Sequence, residues 1–115
     1  KVEYVDTDVM YEFREFDRID DSMYSSDAFE NFKRSIQEEG IKEELLLIYH
    51  QYSKTAYLGE GNHRLRAARE LGIDKVPVRV VRYQSEGKGI KVPGYQSNEH
   101  GYVPGDLSPS EIGIQ

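Results

Sequence analysis

Leu58-Gly59-Glu60-Gly61-Asn62-His63-Arg64-Leu65-Arg66-Ala67-Ala68-Arg69-Glu70-Leu71-Gly72 reads as a strand ending in a glycine turn, and the turn opens a short helix that stops at Gly72. His63 and Arg64 fall in the first helical turn, where the dipole presents positive potential and N–H groups lack helical partners. A cation there is mildly unfavourable unless an anion shares the site. Glycines that permit close backbone approach, a helix N-terminus and two cationic side chains together describe a cradle for phosphate or carboxylate.

At about 100° per residue, Ala67, Ala68 and Leu71 form the apolar face, with Arg64 at its N-terminal end. A guanidinium partly shielded from water needs a partner. That partner is either a ligand anion or a structural one: Glu60, or another carboxylate of the acidic N-terminal half. His63, Arg66 and Glu70 share the opposite, polar face. Arginines such as Arg66 and Arg69 are ordinarily solvated helix charges, and their place beside the turn is what raises them. Asn62 suits the N-cap of this helix.

At 115 residues the chain is one domain with a modest core. No apolar run approaches a membrane span and no signal-peptide pattern is visible, so no membrane partner is expected and a cytoplasmic setting is. The chain opens on Lys1 rather than Met, which reads as a domain excised from a longer parent polypeptide. The absence of cysteine rules out disulfides, thiolate metal sites and cysteine nucleophiles. The net charge of −6 is uneven: residues 1–60 carry −8, residues 61–82 carry +4 and residues 83–115 carry −2. One basic segment in an acidic chain fits a single compact anion, such as a nucleotide, better than extended duplex binding. A strand of nucleic acid remains open as a partner.

Three stretches follow from composition: an acidic, aromatic segment at 1–26, a core at 27–82 and a Gly/Pro/Tyr-rich arm at 83–115. Val2 to Val5 reads as a short strand, while Asp6 to Phe16 fits strand or helix. Ser26 or Asp27 looks like an N-cap, with Asp27 and Glu30 spaced as a capping pair. The helix that follows carries Phe29, Phe32 and Ile36 on one face and stops at Gly40, where Ile41 is placed to pack back. Leu45 to Tyr49 and Thr55 to Leu58 read as a hairpin, and Val76 to Val81 as a further strand whose Pro77 suits an edge or a first position. The expected fold is α/β (α+β): a small mixed sheet with helices packed on it. Six of the ten glycines and three of the four prolines lie in 84–115, where Tyr95 and Tyr102 are expected to anchor a partly ordered arm.

Gly59-Glu60 followed by His63-Arg64-x-Arg66-Ala67-Ala68 resembles the second signature box of the ParB/sulfiredoxin superfamily. That box reads Gly-Glu-Arg-Arg-x-Arg-Ala-Ala in partition proteins and Gly-Cys-His-Arg in sulfiredoxins. With Glu60 as the shared glutamate, this chain has one residue more than the partition box. With Gly61-Asn62-His63-Arg64 as the aligned core, Asn62 stands where sulfiredoxins keep their cysteine. Phe29 to Leu47 resembles the family's upstream helix, turn and first box, and Gly72 to Val81 its closing strand, so the likeness spans about residues 27 to 82.

The resemblance implies a ParB/sulfiredoxin-like fold whose central turn holds nucleotide phosphates. Its members include partition proteins that bind and hydrolyse CTP, sulfiredoxins that use ATP, a free-serine kinase and domains assigned as nucleases. Glu43 stands where partition proteins place a glutamine facing the base, and Glu44 replaces the usual proline. Lack of cysteine removes sulfiredoxin chemistry. The partition proteins' third box, Glu-Asn-x-x-Arg, and a following helix-turn-helix are not found in residues 83–115, which argues against chromosome segregation.

The leading expectation is a nucleotide-binding domain with phosphoryl-transfer or NTP-hydrolysing activity. Gly59, Gly61, Asn62, Arg64, Arg66 and Glu43 would bind the nucleotide, and Glu60 and His63 would be catalytic. The cofactor expected is Mg2+ with a nucleoside triphosphate, ATP or CTP, because magnesium usually keeps phosphate and water ligands. No resident metal site is expected, since His50, His63 and His100 lack zinc-ligand spacing. Two alternatives stand beside it. One is a ParB-like nuclease, the toxin domain of a larger protein delivered to a cytoplasm and paired with a cognate partner. The other is a non-enzymatic module whose arginine turn holds an acidic peptide or the chain's own carboxylates.

Overall fold

A computed structural model describes residues 2–14, 26–83, 87, 89–92 and 106–114. The elements run β1 (Glu3–Asp6), α1 (Thr7–Tyr11), α2 (Ser26–Glu39), β2 (Leu45–His50), β3 (Thr55–Glu60), α3 (Asn62–Glu70), β4 (Lys75–Tyr83), β5 (Ile90–Lys91), β6 (Asp106–Leu107) and a 3-10 turn (Pro109–Ile112). The strands form one mixed sheet in the order β1-β4-β2-β3-β5, with β6 also on β4. β2 and β3 are an antiparallel hairpin, and β2 and β4 are parallel. The mixed α+β sheet read from the sequence is therefore the fold.

Period-two alternation builds the core. Leu45, Leu47 and Tyr49 of β2, Ala56 and Leu58 of β3, and Val76, Val78 and Val80 of β4 are buried on one sheet face. Leu65 and Ala68 of α3 and Met10 of α1, with the following Phe13, cover them. Ala67 turns the other way and packs with Phe29 and Ile36 of α2, joined by Phe32, Ile41, Leu71 and Ile73. Helix α3 thus lies between two apolar layers, and its buried side is Leu65, Ala67 and Ala68, with Leu71 only partly covered. Helical periodicity names Leu71 and omits Leu65. A helix packed on two sides hides a wider arc than one stripe.

The structure settles some open sequence expectations and corrects others. Asp6 to Phe13 divides into the end of β1, α1 and a turn, with Phe16 outside the described residues. Helix α2 begins at Ser26, so Asp27 stands in its first turn, and the residue before Ser26 lies outside the described residues. Pro77 is not on an edge strand: β4 pairs with β1 on one side and β2 on the other. The proline is tolerated because the parallel ladder to β2 begins only at Val78. Among the described residues of the C-terminal arm, aliphatic side chains reach the core. Val92, Leu107, Ile112 and Ile114 are buried in the main core, and Glu3 accepts hydrogen bonds from the Ser110 backbone N–H and hydroxyl at 2.8 and 2.9 Å. Tyr95, His100 and Tyr102 lie outside the described residues. Among the described residues no helix is long and apolar enough to cross a membrane.

The hairpin carries the feature that sets the site. Leu47 pairs with Leu58, but Leu46 pairs with Glu60, so Gly59 is the extra residue of a β-bulge. A Cβ at Gly59 would overlap the Ile48 side chain, which occupies the space the glycine leaves. In an unbroken ladder Glu60 would share the core face of Leu58. The bulge moves it to the register of Leu46, on the face away from the core.

Candidate functional site

Immediately after β3 the chain turns at Gly61, with φ +105° and ψ 17° in the left-handed region, and Asn62 becomes the first residue of α3. Gly61 rather than Asn62 is therefore the N-cap. No side chain caps this helix start and no acid lies in its first turn, so its positive end is not neutralised from within the helix. A Cβ on Gly61 would lie 2.7 Å from Leu45 Cγ, which gives this glycine, like Gly59, a packing reason of its own.

Arg64 Nη1 donates to Glu43 Oε2 at 3.0 Å. The arginine side chain is only 18% exposed, but that of Glu43 is 83% exposed. The partner foreseen for Arg64 by the structural alternative is thus Glu43, from the acidic N-terminal half, and not Glu60. A concavity of about 320 Å³ brings Glu43, Glu60, Gly61, Asn62, His63 and Arg64 together beside Phe32. A second, of about 380 Å³, shares Glu43, Glu60 and Arg64 and extends over Leu46 to Glu44 and Arg79. Both volumes are of small-ligand size.

Gly59 and Arg66 are not brought to this cleft. Gly59 lies in the strand beneath Ile48. Arg66 turns toward α2: its guanidinium stacks 4.3 Å from the Phe29 ring centroid and donates to Glu70 at 2.9 Å. Lys33 of α2 reaches the same Glu70 at 2.9 Å. Hydrogen bonds from Lys33 and then Arg66 lower the Glu70 carboxyl below its ordinary 4.5, against desolvation that raises it. Lys33 is correspondingly raised above 10.5, first by Glu70 and then by Glu30. A depressed carboxyl contributes stability that is present above 4.5 and is lost as pH falls through its folded value. Glu70→Gln should therefore reduce the loss of stability on acidification below pH 4.5, as read from urea-unfolding midpoints at stepped pH. An unchanged acid limb would show that this pair is solvated and idle.

Sequence reasoning missed Arg79. It lies opposite Leu46 in the parallel β2–β4 ladder, and Leu46 in turn pairs with Glu60. Its signal was the alternation Val76-Pro77-Val78-Arg79-Val80, which turns Arg79 away from the core. That signal means nothing until β4 is placed beside β2. A roomier concavity, about 540 Å³, is elsewhere, around Asp6 to Val9, Arg69 and Gly72 to Lys75. There Lys75 pairs with Asp6 at 3.7 Å and Arg69 with Asp8 at 4.0 Å, so its charges answer one another. Among the described residues, no group of three or more histidines or carboxylates could hold a metal ion.

The sequence profile of the ParB N-terminal domain matches residues 7–91. No curated protein sequence matches the chain significantly. Among solved structures, the fold is similar to the C-terminally truncated chromosome-partitioning protein ParB from Caulobacter crescentus, complexed with CTP-gamma-S. The TM-score is 0.58 at 20% identity, over 74% of this chain and 46% of that one. It is also similar to sulfiredoxin from Arabidopsis thaliana, with a TM-score of 0.54 at 14% identity over 72% and 86% of the two chains. A Pnob8-like ParB-N domain gives 0.51 at 21% identity, over 74% of this chain and 31% of that one. The chain spans about half the length of the Caulobacter protein it matches. At these identities the likeness is one of fold.

Proposed function

This chain belongs to the ParB N-terminal domain family, and from that premise we propose that the β3–α3 turn is a nucleotide-phosphate site. The observation that carries the reading is the pairing of a mostly shielded Arg64 with a mostly exposed Glu43 beside a helix start that no side chain caps. An arginine held for stability alone is normally matched by a partner that shares its burial. Glu43 is nearly all in water, so its hold on Arg64 is worth about 0–1 kcal/mol. A phosphate meets the guanidinium and the helix N–H groups together and replaces Glu43 at little cost. The similar partition protein is complexed with a CTP analogue, which supports a nucleotide as the ligand.

In this reading Arg64 and the backbone from Gly61 to Arg64 hold phosphate oxygens, with Asn62 at the rim. Glu43, released from Arg64, accepts a hydrogen bond from the base. Glu60, re-aimed by the bulge, and His63 line the same cleft and are the groups to orient a water or move a proton in phosphoryl transfer or hydrolysis. Arg66, stacked on Phe29, supports α3 from its far side and acts on the phosphates through the field alone. The donor set suits Mg2+ carried by a nucleotide rather than a protein cage, because the cleft offers separate carboxylates and no three-ligand cluster among the described residues. Such an ion would neutralise phosphate charge, and Glu60 would help hold it.

The test is a thermal-shift screen against ATP, CTP, GTP, UTP and their diphosphates, each with and without magnesium. A ligand that binds only the folded state raises Tm by mass action, by about 2.7 kcal/mol of stability at one hundred times Kd. The expected result is a base-selective rise that grows with phosphate number. No shift with any nucleotide would return Arg64 and Glu43 to the status of a structural pair.

A further inference from the structure

Glu43 and Glu44 are consecutive, and each holds a different arginine. Arg64 Nη1 meets Glu43 Oε2 at 3.0 Å, and Arg79 Nε meets Glu44 Oε1 at 3.5 Å. The two arginines come from distant parts of the chain, one from the start of α3 and one from the middle of β4. They line a single concavity over Leu46. Both glutamates are reachable by water, with side chains 83% and 40% exposed. One short connection therefore neutralises two arginines of one cleft with two replaceable carboxylates.

Resting on the phosphate-site reading above, we infer that Arg79 is a second phosphate-binding residue and that the cleft selects anions by the length of their phosphate chain. A single phosphate placed at Arg64 displaces only Glu43. A diphosphate or triphosphate extends from Arg64 over Leu46 to Arg79 and displaces both glutamates. It gains a second charge-assisted contact for which its own connectivity has already met much of the ordering cost. Glu44 is a competitor for that second position. The ligand class is thus a linear polyphosphate, free or as the tail of a nucleotide, with its distal phosphates toward β4.

Calorimetric titration of the full 115-residue chain with orthophosphate, pyrophosphate and tripolyphosphate tests this without a base or a reaction. Affinity should rise along the series. Arg79→Gln should remove about tenfold or more of the tripolyphosphate affinity while leaving orthophosphate within about twofold. Arg79→Lys, which keeps the charge without the fork, should recover part of the loss. Glu44→Gln should tighten tripolyphosphate and leave orthophosphate unchanged. Equal weakening of all three anions by Arg79→Gln, or an intact chain-length dependence, would overturn the role of Arg79 and leave the Arg64 site standing. If the parent chain binds none of the anions and no nucleotide, the phosphate-site reading itself falls, and this inference with it.

Discussion

Arg64→Ala should abolish measurable nucleotide binding while the domain stays folded. The guanidinium is a permanently charged, fork-shaped donor at the start of α3, on a side chain 18% exposed. Removing a charge-assisted contact of that kind from a ligand site costs about 2–4 kcal/mol, or roughly 30- to 1,000-fold in Kd. The stability effect has a different scale. The pair it breaks has an 83% exposed glutamate on one side, and such pairs contribute about 0–1 kcal/mol. Loss of the packed arginine stem adds a similar amount, so Tm should fall by several degrees and no more. Titration calorimetry and a thermal melt of the same variant separate the two effects. Undiminished affinity would sink the phosphate-site reading. A Tm loss of tens of degrees, in a protein whose parent never bound nucleotide, would make Arg64 a structural residue.

The sequence carried the hairpin, the helix stops at Gly40 and Gly72 and the closing strand, because each rests on local chemistry that does not depend on neighbours. Its resemblance to the ParB/sulfiredoxin boxes over 27–82 lies within the span matched by the ParB N-terminal domain. Register was not legible. The bulge at Gly59 is a property of how β2 and β3 align, and without it Glu60 cannot be placed on the face of Leu46. For the same reason Glu43 escaped notice as the partner of Arg64, 21 positions away, and Arg79 as part of the cleft. Leu65 was not legible because a single apolar stripe does not describe a helix that packs on two sides. The cleft was legible where its residues are contiguous, at Glu60 to Arg64, and illegible where strand pairing assembles it.

Gly61→Ala should be the most damaging single methyl in the site. Two costs fall on the same atom. At φ +105° an L side chain is strained, by about 1–2 kcal/mol. The new Cβ would also lie 2.7 Å from Leu45 Cγ and 3.3 Å from Leu45 Cα. Leu45 is fully buried in the main core and opens β2, so it has nowhere to retreat, and overpacking of this kind costs about 1–3 kcal/mol more. The sum, about 2–5 kcal/mol, corresponds to a Tm lower by roughly 10–25 °C for a domain of this size. Gly72→Ala is the matched control. It closes the other end of α3 at φ +74°, but nothing lies within 4 Å of its would-be Cβ, so it should show the strain alone. The difference between the two variants in urea-unfolding free energy isolates the overlap with Leu45. If Gly61→Ala proved as mild as Gly72→Ala yet still lost nucleotide affinity, the glycine would serve the approach of phosphate rather than the packing of Leu45. If it were mild and bound nucleotide normally, the turn would be more pliable than its contacts imply, and the cradle would owe its geometry to the arginines.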